Sequence, residues 1–496
     1  MKKIDQLLGL LALFANIFYL CWLSYNLEYK LGWLLLTIDA GFTFLILLYL
    51  FNHRKQVSIE ASEKAPYGSL DIFLPVVNEP LEMFERTVMA AKQIDYNNKK
   101  IYILDDGRSA DIKRLARKYL IKYLCRENNI HYKAGNLNFG MKNSNGDFIL
   151  VIDADHIVNK KIAQELLGHF HKNPKLAVVT TRQKFAVPEY DFNHQYMFYD
   201  HMQPGKNSNN AAFSCGSGVF YRRTALEEIG GFQTWNVVED VYTTYVLHQK
   251  GYRSLYINKS YATGLAPVDL PTIYKQRGIW ALDTLRLFFR KNPFLQRGLS
   301  FRQRMHYFET GLAYLFPALA VPLLLLLLPF SIFYEVDLIS RNIFYPDIKG
   351  IAMLLTLFFF WRQSNRRWSE IQFWIALFPV YFKSMILALL PGKPKYKVTA
   401  KMISKGRIHL THILPHLLAI AINMTALYWY IFYLDYGFNL SAIIACIWVG
   451  LILVWFWPVL EKGLNISFIK FLVSRKEKKI DEDIISHSDI LNSEEI

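Results

Sequence analysis

The chain has 496 residues, of which 52% are hydrophobic and 16% aromatic, and its 57 Lys and Arg against 41 Asp and Glu give a net charge of +16. So much apolar mass excludes a disordered chain, and four cysteines exclude a disulfide-built scaffold. A mean hydropathy of +0.13 with 20% charged residues requires segregation, apolar residues in membrane spans and charges in water, and leaves the basic excess to nucleic acid or to cytoplasmic loops.

Residues 7–25 are uncharged, and residues 31–51 form a second apolar run broken only by Asp39. Each is long enough to cross about 30 Å of hydrocarbon, and the short gap between them makes a helical hairpin. Lys2 and Lys3 suit the start of a signal peptide, but the run is long and no small-x-small cleavage site follows, so a span is the better reading. From residue 53 to about 268 the chain reads as a soluble α/β domain. Strands are expected at 71–77, 100–104, 147–152 and 176–181, with charged helices at 82–93, 109–122 and 160–171 between them. That alternation implies a mostly parallel sheet. Residues 269–305 read as amphipathic and interfacial. Further spans are expected at 312–334, 348–361, 410–434 and 440–460, and residues 371–390 are apolar enough either to span or to lie in the interface.

The position of the charge decides these questions. Arg362, Arg366 and Arg367 precede residues 371–390. Lys393, Lys395, Lys397, Lys401, Lys405 and Arg407 follow them, and Arg475, Lys476, Lys478 and Lys479 lie in the tail. With 371–390 in the interface every basic cluster falls on one side of the membrane, as the positive-inside rule requires. The expected organisation is a hairpin (1–52), the α/β domain (53–268), an interfacial stretch (269–305), two spans (306–362), an interfacial helix with a basic loop (363–408), a second hairpin (409–461) and a tail (462–496). It has six spans in the plasma membrane, with both termini and the α/β domain cytoplasmic. A nucleic-acid partner is not expected, because the basic residues border membrane segments. Cys21, Cys125, Cys215 and Cys446 are far apart, which fits a reducing compartment and no zinc spacing, and the thirteen histidines include no i, i+4 pair beside an acid.

Three acidic motifs carry the chemistry. Asp105-Asp106-Gly107 follows a strand, at the carboxyl edge where open α/β sheets bind ligands, although alone it is also an ordinary turn. Asp153-Ala154-Asp155 follows another strand. Carboxylates at i and i+2 there can reach one hard cation, Mg²⁺ or Mn²⁺, which completes its shell with phosphate oxygens. Val238-Glu239-Asp240 opens a helix, where acids are also common caps. Their order within one domain bracketed by spans is far more specific than any one of them.

With these motifs the chain resembles the membrane-embedded processive glycosyltransferases of family 2, which carry D-D-G, D-x-D, E-D and Q-x-x-R-W in this order, and among them the cellulose synthases. Val77-Asn78-Glu79 is similar to the family's uridine-contacting strand end, and Lys133 to Asn138 to its K-A-G-N-x-N. Gln203-Pro204-Gly205 and residues 210–218 are similar to its acceptor-side segment with F-C-G-S, and Tyr396 to Lys401 to its gating loop. The resemblance covers about residues 70 to 460. Gln276-Arg277-Gly278-Ile279-Trp280 departs from it, with Ile279 where the family has an arginine on the diphosphate. About 36 residues follow the last span, too few for the cyclic-di-GMP receptor domain of many bacterial cellulose synthases.

The resemblance implies a GT-A-like cytosolic domain inserted between α-helical transmembrane segments. It implies inverting transfer of glucose from UDP-glucose into a β-glucan that crosses the membrane. On that basis Glu79, Asp106, Lys133, Asp153, Gln276, Arg277 and Lys401 bind the UDP-sugar, and Asp153 and Asp155 hold Mg²⁺ or Mn²⁺. Asp240 is the general base, and Glu239, Cys215, Gly216 and Trp280 meet the acceptor. The implied partners are the donor, the growing polysaccharide and the bilayer; a homo-oligomer and export partners stay open. Ile279 also admits another linkage or UDP-sugar. Single transfer to a lipid carrier is a further alternative, against which the 276–280 and 396–401 segments argue. Asp39 and Glu309, acids in or near spans, suit a channel lining and a helix contact equally.

Overall fold

The structure is a computed structural model and describes residues 1–27, 32–62, 64–335, 344–392, 408–434 and 440–465. Lys401 with the rest of the basic loop, and the tail from residue 466, lie outside the described residues.

The first two apolar runs form α1 (Lys3–Tyr25) and α2 (Gly32–His53), packed on each other. The α/β domain then runs β1 (Leu70–Val76), α3 (Leu81–Gln93), β2 (Lys99–Asp105), α4 (Ala110–Lys118), β3 (Lys122–Leu124), α5 (Tyr132–Lys142), β4 (Phe148–Val151), β5 (His156–Val158), α6 (Ile162–Leu166) and β6 (Leu176–Phe185). It closes with α7 (Gln203–Asn207), β7 (Val219–Arg222), α8 (Arg223–Glu228), α9 (Asp240–Gln249) and β8 (Arg253–Gly264). The strands make one sheet in the order β3-β2-β1-β4-β7-β6-β8-β5. Pairs β1–β2, β1–β4, β2–β3 and β6–β8 are parallel, whereas β4–β7, β6–β7 and β5–β8 are antiparallel.

Both faces of the sheet are covered. Ile72, Leu74, Phe148 and Leu150 pack with α3 and α4, while the intervening Phe73, Ile149 and Val151 pack with α5 and α8. Side chains alternate across a strand, so a strand buried on both sides reads as an unbroken apolar run. That is why β1, β2, β4 and β6 stand out in the sequence. The helix expected at 109–122 ends at Lys118 and gives way to β3, and the one expected at 160–171 divides into α6 and a 3₁₀ turn over Leu167–Lys172.

Beyond the domain lie α10 (Leu270–Arg290), α11 (Phe301–Phe333), α12 (Tyr345–Gln363), α13 (Trp368–Ala376), α14 (Phe378–Leu389), α15 (Leu410–Tyr428) and α16 (Leu440–Leu464). Asp269 caps α10 by accepting the Thr272 N–H at 2.9 Å, and Ser300 with Gln303 forms a capping box on α11. Among the described residues, five helices are long and apolar enough to cross a membrane: α1, α2, α11, α15 with its continuation to Tyr433, and α16. The expected span at 348–361, α12, is not among them. Its 19 residues include Asp347, Lys349 and Arg362. It packs along α1, with Lys349 paired to Asp39 at 2.6 Å and Arg362 to Asp5 at 2.7 Å. Asp39 thus serves helix contact, also accepting the Tyr19 hydroxyl at 2.7 Å. Residues 371–390, expected as one helix, are two, α13 and α14, bent by 48°. Pro379 in the first turn of α14 has no N–H with which to continue α13. Counted as one span, the pair would be the sixth. α14 lies along α10 and α11, where Leu282, Leu285, Phe378 and Tyr381 share a core.

Candidate active site

The Asp-Asp-Gly turn divides its labour. Asp105 is fully buried and accepts the N–H groups of Gly107, Arg108 and Ser109 at 2.7, 3.1 and 2.8 Å, with the Tyr123 hydroxyl at 2.9 Å. It builds the turn. Asp106 faces the space beyond the sheet and is held by two hydrogen bonds from Arg126, both 2.6 Å. Arg126 lies twenty residues on, in a loop with no motif, so no sequence signal marks it. Glu79 folds back onto the N–H groups of Val77 and Asn78 at 2.7 and 3.1 Å, fixing the β1 strand end.

Around the Asp153–Asp155 turn the acids meet one cation. Lys133 Nζ, on α5, lies 2.6 Å from Asp153 and 3.2 Å from Glu239, and donates to the Gly216 carbonyl at 3.0 Å. Burial opposes its charge, but Asp153 and Glu239 outweigh burial and hold the ammonium well above its ordinary range. Gly216 has φ +87°, and a Cβ there would stand 3.1 Å from Asp240 Oδ2, so a glycine lets this backbone approach the carboxylate. Burial, with Glu239 beside it, pushes Asp240 up to about 7 against the pull of Lys133.

Glu79, Asp106, Lys133, Asp153, Asp155, Gly216, Asp240, Gln276 and Trp280 all line one cavity of about 280 Å³. His156 lines it too, and the sequence reading passed over it although it follows Asp155 directly. Its Nδ1 is 3.3 Å from Asp155, and its Nε2 is buried without a hydrogen-bond partner. The imidazole Nε2 packs against Gly264, and the two carboxylates of the turn fit a divalent cation of the Mg²⁺ or Mn²⁺ type.

A second cavity of about 240 Å³ adjoins the first and shares Gln183, Cys215, Val238, Asp240 and Trp280 with it. Aromatic and apolar groups dominate it: Phe192, Met197, Tyr314, Phe373, Trp374 and Tyr381. Met197 begins a π-helical turn, Met197–Met202, of a kind frequent at functional sites. Gln203 donates to the Phe213 carbonyl at 3.0 Å and to Cys215 Sγ at 3.3 Å, so it holds the wall between the cavities. Burial pushes the Cys215 thiol up to about 12, which makes it a pocket wall and not a nucleophile.

Three more of the expected site residues sit differently against the two cavities. Arg277 lines the second cavity and not the donor-side one, donating to Gln195 at 2.8 Å and lying over Trp280 at 4.6 Å. On α10, Gln276, Ile279 and Trp280 share one face by i, i+3, i+4 spacing, and Arg277 is turned about 100° from Gln276. Glu239 is 1% exposed and lines neither cavity; it supports Lys133 from behind. Gly216 lines the donor side and not the acceptor side.

Residues 71–230 match the family model described as glycosyl transferase family 2, and residues 227–373 match the one described as cellulose synthase. The UDP-forming catalytic subunit of cellulose synthase 1 from Komagataeibacter xylinus is 30% identical over 93% of this chain and 67% of its own length. The chain belongs to the cellulose synthase family of glycosyltransferases. Within that family, the UDP-forming catalytic subunits from Pseudomonas fluorescens (strain SBW25) and Xanthomonas axonopodis pv. citri are 31% and 36% identical, over 78% and 53% of this chain. The chain covers 55% and 38% of their lengths. A solved mannosyltransferase from Pyrobaculum calidifontis, in complex with GDP-Man and Mn²⁺, shares the fold at a TM-score of 0.54 and 15% identity, over 71% of this chain and 99% of that one. The domain is therefore a GT-A-like glycosyltransferase domain flanked by apolar helices.

Proposed function

We propose that the chain polymerises glucose from UDP-glucose into a β-glucan and passes the product into the membrane. The observation that carries this reading is the place of Asp240, on the wall shared by a charged cavity and an aromatic one. The donor occupies the charged side. Asp153 and Asp155 would hold Mg²⁺ or Mn²⁺, which when bound would neutralise charge on the leaving diphosphate. Lys133 adds the fixed positive charge of the protein, and Glu79 and Asp106 bound the nucleoside end. The terminal sugar of the acceptor enters from the aromatic side against Trp280. Asp240 takes the proton of its hydroxyl as the oxygen bonds to the anomeric carbon and the bond to the diphosphate breaks. A base near pKa 7 is suited to work at neutral pH without a protein nucleophile.

The aromatic cavity leads between α10, α11, α13 and α14 toward the apolar helices, which suits extrusion of a polymer better than release of a single sugar. The catalytic domain faces the cytoplasm, where UDP-sugars are made. Ile279 lines the donor cavity where the family resemblance implies arginine, and it favours a second reading in which the linkage or the UDP-sugar differs.

Purified protein with Mg²⁺ or Mn²⁺ and radiolabelled UDP-sugars, one at a time, tests this. A high-molecular-weight, β-glucanase-sensitive product from UDP-glucose supports it. UDP release with only lipid-soluble label would replace it with single transfer to a lipid carrier.

A further inference from the structure

We infer that His53, His306 and Glu309 form a second metal site, remote in chemistry from the donor cavity, that takes Zn²⁺. His53 ends α2, and His306 and Glu309 lie one turn apart on α11. All three are buried, and one ligand atom from each lies within 4.8 Å of the others. His53 Nε2 is 2.8 Å from Glu309 Oε1, and His306 Nδ1 is 3.9 Å from Glu309 Oε2. Around a tetrahedral ion with bonds of about 2.0–2.2 Å, ligand atoms stand about 3.4 Å apart, so the two separations bracket the required one. Side-chain movements of about half an ångström would close the set, with water in the fourth position.

Two further observations point to a ligand. His306 Nδ1 is buried and has no hydrogen-bond partner, a rare state for a polar atom. Groups behind two of the three side chains are of the kind that orient metal ligands: the Asn209 amide lies 3.1 Å from His306 Nε2, and Asn52 donates to Glu309 Oε2 at 2.8 Å, while His53 Nδ1 is buried without a hydrogen-bond partner. With the Asn209 amide turned over, at the cost of its donation to the Gly205 carbonyl and the Ser208 hydroxyl, its oxygen accepts Nε2–H and leaves Nδ1 free to coordinate. Two imidazoles and one carboxylate suit zinc, whereas the carboxylates of the donor turn suit a hard ion with phosphate. Among the described residues, Arg302, one turn before His306 on α11, and Lys206 both bear on the site as cations; Lys206 is wholly buried and donates to neutral acceptors, the His306 carbonyl at 3.1 Å and Thr310 at 2.9 Å.

Such an ion would pin α2 to α11 directly beneath α7. Gly205 of α7 packs against the His53 ring, and Gln203 in the same helix holds Phe213 and Cys215. The site is thus a clamp under the wall between the cavities.

The test uses the full chain in detergent, carrying Asp153→Asn and Asp155→Asn so that the donor turn does not contribute. The protein is stripped with chelator, given Zn²⁺, desalted and analysed for metal. The expected result is about one equivalent of zinc, with Co²⁺ in its place giving a tetrahedral visible spectrum. Adding His306→Ala or the isosteric Glu309→Gln removes both signals, and Zn²⁺ raises Tm only where both residues are intact. No retained zinc in the parent would overturn the site and leave an ion pair only. So would undiminished zinc in a monodisperse His306→Ala or Glu309→Gln protein.

Discussion

The donor-side and acceptor-side cavities share a wall yet are built in opposite ways. The first takes its groups from turns that follow strands: Asp106 after β2, Asp153 and Asp155 after β4, with Lys133 reaching in from α5. Each is a charged residue in a short motif. The second takes Phe192, Met197, Tyr314, Phe373 and Tyr381 from five separate elements, none of them in a motif. Charge chemistry is strong, directional and local, so a few residues at fixed spacing suffice. Apolar recognition is spread over area, so it is assembled from many weak contacts that no short pattern marks. Asp240 stands where the two meet.

That contrast predicts how substitutions divide. Asp240→Asn is expected to lower kcat for polymerisation by about 10²–10⁴-fold with UDP binding preserved; activity assays with calorimetric UDP binding measure both, and retained turnover would break the assignment. Next is Lys133→Met, which leaves Asp153, Glu239 and Asp240 facing one another. UDP-sugar kcat/KM should fall by about 10–100-fold. The acidic limb of the pH profile should move to higher pH by about one unit, because Lys133 is the charge that lowers the Asp240 pKa. Trp280→Ala should shorten the product measured by gel filtration while changing UDP affinity only about twofold, since its loss is felt on the apolar side. The smallest effect is expected from Ile279→Arg, which puts a cation into the donor cavity. It should tighten UDP binding by about three- to tenfold, and an unchanged affinity would show that Ile279 does not face the diphosphate.

The same contrast explains what was legible in the sequence. The buried strands β1, β2, β4 and β6 announce themselves as apolar runs, whereas β3, β5 and β7 have three or four residues each and β8 is interrupted by polar residues such as Asn258, Lys259 and Ser260. The acids of the charged cavity stand out because carboxylates at strand ends have few structural alternatives in combination. Arg126 does not, because its pairing with Asp106 depends on the loop path after β3. Arg277 lines the second cavity while its neighbour Gln276 lines the first, a division that a linear motif hides because neighbours on a helix are turned by about 100°. Adjacency in sequence likewise does not show that Asp240 lines both cavities and Glu239 neither. The His53–His306–Glu309 cluster joins residues about 250 positions apart, a distance over which no spacing rule operates.

The most direct test of the central claim, that Asp240 is the base between the two cavities, is the pH dependence of polymer synthesis by the wild type and by Asp240→Asn. The base must be unprotonated to act. Wild-type kcat/KM is therefore expected to fall about tenfold per pH unit below about 7, and the residual activity of Asp240→Asn to lose this limb. A wild-type limb near the ordinary carboxylate range, or the same limb persisting in Asp240→Asn, would contradict it.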